Sequence, residues 1–299
     1  MALFRKKSLA FTLVELLVVI AIVGLLSTIV LAVTSGVSEQ GRIAKSLQFS
    51  KHLENSLGDH LIGRWTFDET ANLCGAGKVC DTSGWDNHGT MNNFVLPYGL
   101  VDDDTPSGQG GAMSFDGVDD YVEANPSISS ANGSLTICGW FKRQTDSSTG
   151  YPFGIRSEDF SFGIVGDTQM SLQARRSNNL NGKLSGRFSV SAVNSLGISW
   201  HFFAMTQNDD FTKPPRAYLD GTELTVSLSS YYDTQRYTTF YIGKLNPAQG
   251  YFSGLVDEVH IYDTALIASQ IQSQYYAGLD RLLTKKFISK TEYQERIKS

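Results

Sequence analysis

The sequence predicts a mainly β protein: a large antiparallel β-sandwich, preceded by a long N-terminal transmembrane α-helix and followed by short C-terminal helices. Three observations carry this. An unbroken apolar run fills residues 10–33 behind the basic group Arg5-Lys6-Lys7. From residue 61 onward hydrophobicity alternates with a period of two, punctuated by Gly, Asn, Asp and Pro clusters. The 28 Gly, 13 Tyr and 17 Phe among 299 residues, with only 18% charged, describe a folded, turn-rich chain rather than a disordered one.

The apolar run contains one ionisable group, Glu15. As a helix, residues 10–33 would span roughly 36 Å, enough to cross a hydrocarbon core. The basic flank places the N-terminus in the cytoplasm, with a single pass and an exported remainder. Of the net charge of −5, the first ten residues carry +3, so the rest is acidic, which argues against nucleic-acid binding. A secretory signal fits poorly, because its apolar stretch is usually ~7–15 residues and Val33-Thr34-Ser35-Gly36 is a poor cleavage site. A carboxylate one turn into such a helix costs about 2.5–3.5 kcal/mol at the bilayer centre, so Glu15 needs a partner.

The segment Lys6-Lys7-Ser8-Leu9-Ala10-Phe11-Thr12-Leu13-Val14-Glu15 resembles a type IV prepilin or pseudopilin N-terminus. The resemblance implies a leader over residues 1–10, cut between Ala10 and Phe11 by a prepilin peptidase. Phe11 would become the N-methylated terminus, and Glu15 would pair with the terminal amine of a neighbouring pilin subunit. Position 10 is Ala where that family prefers Gly. Beyond the membrane, Ile43, Leu47, Leu53 and Leu57 form an apolar face among Arg42, Lys45, Lys51 and Glu54. A single helix over 11–60, spanning the membrane at 11–33 and bent near Gly36, Gly41 or Gly58, fits the pilin resemblance.

Strands are predicted at 61–67, 111–116, 119–123, 135–143, 160–165, 169–175, 186–193, 199–207, 215–220, 238–243 and 255–262. Ser134-Leu135-Thr136-Ile137-Cys138-Gly139-Trp140-Phe141 is apolar on both faces and suits the middle of a sheet. Asp220-Gly221 between alternating apolar residues signals a hairpin. Several blocks resemble, in order and spacing, a laminin-G-like, concanavalin A-like jelly roll over 61–277. They are Trp65-Thr66-Phe67-Asp68-Glu69, Asp81-Thr82-Ser83-Gly84 leading to Asn87-His88-Gly89-Thr90, Phe115-Asp116-Gly117-Val118-Asp119-Asp120-Tyr121-Val122, Trp200 to Gln207, Tyr218-Leu219-Asp220-Gly221, and Gly254-Leu255-Val256-Asp257-Glu258-Val259-His260-Ile261-Tyr262. The resemblance implies two packed antiparallel sheets with ligand-accessible loops at the rim.

A helix is predicted over 264–276, with Asp263 or Thr264 as N-cap and Gly278 as C-cap. The tail 278–299 reads as two short amphipathic helices hinged at Ile288-Ser289, either docking on a membrane or partner or packing on its own domain. Cys74 and Cys80 bracket a short Gly-containing loop and are predicted to form a disulfide in an exported domain. Cys138, in an apolar strand, reads as a buried small hydrophobe.

No catalytic array stands out. The strand pattern Glu-x-Asp-x-x-Glu of polysaccharide hydrolases is absent, and neighbouring Asp257 and Glu258 are expected on opposite faces of a strand. His52, His60, His88, His201 and His260 show no metal-ligand spacing, and Gly75-Ala76-Gly77-Lys78 falls short of a P-loop. The jelly-roll resemblance implies a structural calcium held near the rim by Asp68, Asp81 and Asp257. For Asp68 and Asp81 plain turn chemistry is the other reading. Trp85, flanked by Asp86, Asn87 and His88, either stacks on a sugar or covers the jelly-roll edge. Three functions remain open: a pilin-like surface protein presenting a lectin-like head to glycans or surface proteins, a pseudopilin of a secretion machine, and a membrane-tethered glycan hydrolase lacking the expected carboxylates.

Overall fold

The structure, a computed structural model, describes residues 13–14, 16–24, 41, 48, 56–68, 74–95, 99–101, 105–107, 110–126, 128, 134–155, 160–164, 170–174, 186–190, 196–208, 215–231, 239–245 and 250–297. It divides into two units, Met1–Gln48 and Phe49–Ser299. In the first, residues 13–14 and 16–24 are helical and their apolar side chains are exposed. Among the described residues no helix is long and apolar enough to cross a membrane. Ala10, Phe11, Glu15 and most of the expected 11–60 helix lie outside the described residues.

The second unit is a sandwich of two antiparallel sheets. The front sheet has the order β14 (Thr222–Leu224), β13 (Arg216–Leu219), β12 (Trp200–Gln207), β7 (Leu135–Arg143), β17 (Ser253–Tyr262), β5 (Ala112–Asp116), β4 (Gly99–Val101), and β1 (Leu61–Trp65) also pairs with β17. The back sheet runs β15 (Val226–Tyr231), β11 (Gly186–Val190), β10 (Met170–Ala174), β9 (Phe160–Ile164), β8 (Gly150–Ile155), β16 (Phe240–Ile242), β6 (Tyr121–Ala124), β3 (Gly89–Asn92), β2 (Lys78–Val79). Chain neighbours such as β5 and β6 fall in different sheets, so short turns bridge the rim. The predicted strands are all present. β2, β3, β4, β8 and β15 were not predicted: the first three are short, β8 carries Pro152, and the Ser229-Ser230 pair interrupts the alternation of β15.

Two apolar layers account for the sequence pattern. Between the sheets, Trp65, Phe115, Phe141, Phe153, Phe162, Phe203, Phe240 and Val256 form the main core, with the Phe162 and Phe203 rings stacked 3.7 Å apart. The opposite face of the front sheet carries Trp140, Phe202, Tyr218 and Tyr262, covered by α1 (Ala268–Thr284) and α2 (Lys290–Arg296). A sheet buried on both faces has no polar side to display, so β7 reads as a continuous apolar run. The predicted hairpin is present as a two-residue turn, with Leu219 opposite Thr222 and positive φ at Asp220 and Gly221.

The C-terminal helices depart from the expected boundaries. Residues 264–266 are not helical, because Thr136 on β7 ties them down: its Oγ1 donates to Thr264 O at 2.7 Å and accepts the Leu266 N–H at 2.9 Å. The helix begins at Ala268 and runs through Gly278 to Thr284, so Gly278 is not a cap. A Cβ at Gly278 would lie 2.4 Å from Trp140 Cζ2: glycine lets the helix settle on the indole. Ser289 Oγ caps α2 by accepting the Glu292 N–H at 3.0 Å. Tyr293 is buried and donates to Asp280 Oδ1 at 2.5 Å, and Arg296 Nη1 donates to Trp200 O at 2.9 Å. The tail packs on its own domain.

Cys74 and Cys80 are bonded, with Cα atoms 5.5 Å apart, and strand β2 lies within the loop they close. Cys138 is buried, its thiol pushed up by burial, and donates to Gln274 Oε1 at 3.2 Å.

Alanine in place of glycine normally favours a helix interior by about 1 kcal/mol. Gly278→Ala should do the opposite here and destabilise by about 1–3 kcal/mol, because the methyl must displace Trp140. Urea unfolding of the two proteins checks the sign: a lower midpoint with an unchanged slope is expected.

Candidate functional site

The loop leaving β2 is organised by one carboxylate. Buried Asp81 accepts the Arg64 N–H at 2.8 Å and the Ser83 N–H at 2.9 Å on Oδ1. On Oδ2 it accepts the Ser83 hydroxyl at 2.8 Å and the Asn87 N–H at 2.9 Å. Its own N–H donates to His88 Nδ1 at 3.0 Å, and Asn87 Nδ2 donates to Ile62 O at 2.7 Å. The chain reverses through positive φ at Gly84 and Asp86. Trp85 lies between them, at the outer end of this clamped loop, 58% exposed.

The polar surroundings of that ring follow from the same bonds. Because His88 Nδ1 accepts, its proton sits on Nε2, which lies 3.9 Å from the exposed Asp86 carboxylate. The loop carries an exposed apolar ring and, next in the chain, a carboxylate that faces an imidazole N–H. A sugar offers the complement: a C–H face for the ring and hydroxyls for the polar groups. The clamp fixes the backbone on either side of Trp85, so little ordering of the loop is left for binding to impose.

The three aspartates expected to hold calcium do not form one ligand set among the described residues. Asp81 spends both oxygens on the donors named above, which is the turn reading. Asp257 is fully buried, with Oδ2 accepting the Ser107 N–H at 3.0 Å and Oδ1 accepting the Glu258 N–H at 2.7 Å. Asp68 is near enough for its charge to act on Asp257.

Asp257 and Glu258 also break the expected alternation. The register of β17 against β7 shifts between Asp257 and His260, and Glu258 has φ +49°. The extra residue makes a bulge, so both carboxylates are buried rather than one facing in and one out. Glu258 meets His260 Nε2 at 3.0 Å, Arg281 Nη1 at 3.4 Å and Arg64 Nη2 at 3.9 Å. Burial pushes Asp257 well above the usual carboxylate range; Glu258 beside it adds to that, while the Ser107 N–H opposes it. Burial also works against Glu258, yet the His260 hydrogen bond and the charges of His260, Arg281 and Arg64 prevail and hold it at about 2.

Two constellations had no signal in motif spacing. Ser199 Oγ lies 3.2 Å from His201 Nε2, and His201 Nδ1 lies 2.7 Å from Asp220 Oδ2. This has the order of a nucleophile, base and orienting acid, but Nε2 points 2.5 Å from the Leu196 carbonyl, which can only accept. A nitrogen donating there cannot take a serine proton, so the trio is a structural latch. The other is Asp116, Asp119 and Asp120, on the turn between β5 and β6. Burial, with Asp116 and Asp119 beside it, pushes Asp120 up to about 6, against the Asp116 N–H bond that lowers it. Their sequence, Asp-Gly-Val-Asp-Asp, lay within a block carrying the jelly-roll resemblance but had no assigned role.

The family profile of the concanavalin A-like lectin/glucanases superfamily matches residues 116–272, more than half of the chain. The chain belongs to this superfamily. A second profile, the prokaryotic N-terminal methylation motif, matches residues 5–31, so the lectin-like domain follows a prepilin-type N-terminus. No curated protein matches the chain in sequence. Among solved structures, the botulinum neurotoxin serotype D binding domain is similar with a TM-score of 0.53 and 13% identity, over 75% of this chain and 53% of that one. A Trypanosoma rangeli sialidase, solved with 2,3-difluorosialic acid as a covalent intermediate, is similar with a TM-score of 0.50 and 14% identity, over 80% of this chain and 39% of that one. The chain spans about half the length of the first and less of the second, and at such identities the likeness is one of fold.

In this superfamily member the buried pair on β17 yields a comparison of two conservative variants. Glu258→Gln leaves Arg64 and Arg281 facing a neutral group and should cost about 3–5 kcal/mol. Asp257→Asn relieves a carboxylate that burial disfavours, but its amide must turn an NH2 toward either the Ser107 or the Glu258 N–H, so it should cost about 1–3 kcal/mol, less than Glu258→Gln. Denaturant unfolding at neutral pH reads both. The sign with pH follows for Glu258: its contribution is present above the ordinary glutamate range and is lost as pH falls toward about 2.

Proposed function

We propose that this protein is a pilin-type surface subunit whose jelly-roll head binds a saccharide, with Trp85 as the stacking platform. The observation that carries the reading is the exposed Trp85 ring on a loop clamped by Asp81 and flanked by Asp86 and His88. A saccharide stacked on Trp85 would cover apolar ring surface that the folded chain leaves in water. The prepilin-type N-terminus supports membrane anchoring and assembly with other pilin or pseudopilin subunits. On this reading a prepilin peptidase cuts between Ala10 and Phe11, Phe11 is methylated, and Glu15 neutralises the new amine of a neighbour.

Two measurements test the two halves. N-terminal sequencing of the membrane-extracted protein should begin at a methylated Phe11; a mature protein beginning at Met1 removes the assembly route. A glycan array probed with the labelled full-length chain in detergent should give saccharide hits that Trp85→Ala weakens at least tenfold with an unchanged melting temperature. Asp81→Asn should weaken them too and cost about 1–3 kcal/mol, because its amide would point N–H groups at N–H donors. An empty array, or hits indifferent to Trp85→Ala, would favour the pseudopilin reading, in which the head contacts partner subunits.

A further inference from the structure

We propose that the turn joining β5 to β6 is a divalent-cation site in which Asp116, Asp119 and Asp120 supply carboxylate oxygens to a calcium ion. One carboxylate oxygen from each of the three lies within 4.8 Å of the others. None of the three is ion-paired to a basic side chain among the described residues. Three unneutralised carboxylates at that spacing repel one another, and a cation between them reverses the sign of every pair.

The turn's own hydrogen bonds hold the acids together without using up their oxygens. Asp116 Oδ1 accepts the Val118 N–H at 2.7 Å and the Asp119 N–H at 3.3 Å. The Asp116 N–H donates to Asp120 Oδ2 at 3.1 Å. Gly117, at φ +82°, lies where a Cβ would come 2.7 Å from Ser253 Cβ, so the turn is pressed against β17.

Asp120 supplies the independent observation. It is 1% exposed, and its Oδ1 is buried with no hydrogen-bond partner among the described residues. A buried carboxylate oxygen with no donor is costly and asks for a partner. Asp81 shows the contrast within the same domain: four donors meet its two oxygens, and nothing is left to bind a metal. Calcium suits the turn better than magnesium, because it accepts six to eight oxygens in irregular geometry, whereas magnesium demands a near-ideal octahedron. Since β5 belongs to one sheet and β6 to the other, an ion here would fasten the two at the rim.

The test uses the full-length chain, stripped with chelator and then titrated with calcium chloride, magnesium chloride or terbium chloride. Calcium should raise the melting temperature by about 5 °C or more at saturation, and terbium should give luminescence sensitised by nearby aromatic rings and displaced by calcium. Asp119→Asn removes an exposed carboxylate and should weaken calcium binding at least tenfold while leaving the melting temperature of the stripped protein unchanged. Asp120→Asn should abolish the calcium response, with the stripped protein at least as stable as the parent. Identical melting with calcium and chelator, and no terbium signal, would overturn the proposal. So would calcium binding that survives Asp119→Asn and Asp120→Asn but is lost in Asp68→Asn, since the ion would then lie at the other rim.

Discussion

Helix α1 can lie flat on the front sheet because Gly278 has no side chain where it meets the Trp140 indole. That contact closes the second apolar layer, in which Trp140 also stacks on Tyr275 with ring centres 5.7 Å apart. Once the layer is closed, the centre of the front sheet is dry on both faces, and β7 is buried along almost its whole length. The same layer brings Arg281 to Glu258 and Tyr293 to Asp280, so both contacts form only with the two helices in place. Packing and polar satisfaction are thus coupled, and a single small residue permits both.

The bulge at Asp257-Glu258 is the second constraint, and it is electrostatic. Along β17, β5 pairs with Ser253 to Val256 and β1 with Val259 to Tyr262, so the two acids sit where one neighbouring strand gives way to the next. Freed from the regular ladder, the backbone takes a positive φ at Glu258 and lets both carboxylates be buried. Two buried acids side by side cannot both ionise cheaply. Their surroundings separate them: Arg64, Arg281 and His260 surround Glu258, while Asp257 receives backbone N–H groups and, among the described residues, no cation.

Much of this was legible in the sequence, and the failures are physical. The alternating segments gave the long strands, the doubly apolar run over 135–143 gave a central strand, and Asp220-Gly221 gave its hairpin. The helix end was misread because glycine serves two purposes: past a helix it supplies a left-handed residue, but inside one it supplies room. Nothing local to Gly278 tells these apart; the deciding residue, Trp140, lies far away in the chain. The two-residue alternation likewise gives no sign of a bulge, so Asp257 and Glu258 were expected on opposite faces. Trp85 was legible as a candidate, but its clamp was not, since that depends on Arg64 and Ile62 of β1 crossing the loop.

The aspartates show what separates a structural acid from a ligand. Asp81 and Asp116 both stand at the start of a turn, and both accept N–H groups from residues two or three positions on. Sequence cannot distinguish them. The difference lies in how many donors arrive from elsewhere: Asp81 gathers Arg64 across the sheet and Asn87 from the far side of its loop, which saturates it. Among the described residues, the carboxylates of the turn at 116–120 accept only the turn's own backbone N–H groups, and they stand beside one another. A saturated carboxylate stiffens a loop and can hold an aromatic ring out in water; an unsaturated group of them attracts a cation. The two proposed roles of the rim therefore rest on one chemistry, divided by where the backbone N–H groups happen to point.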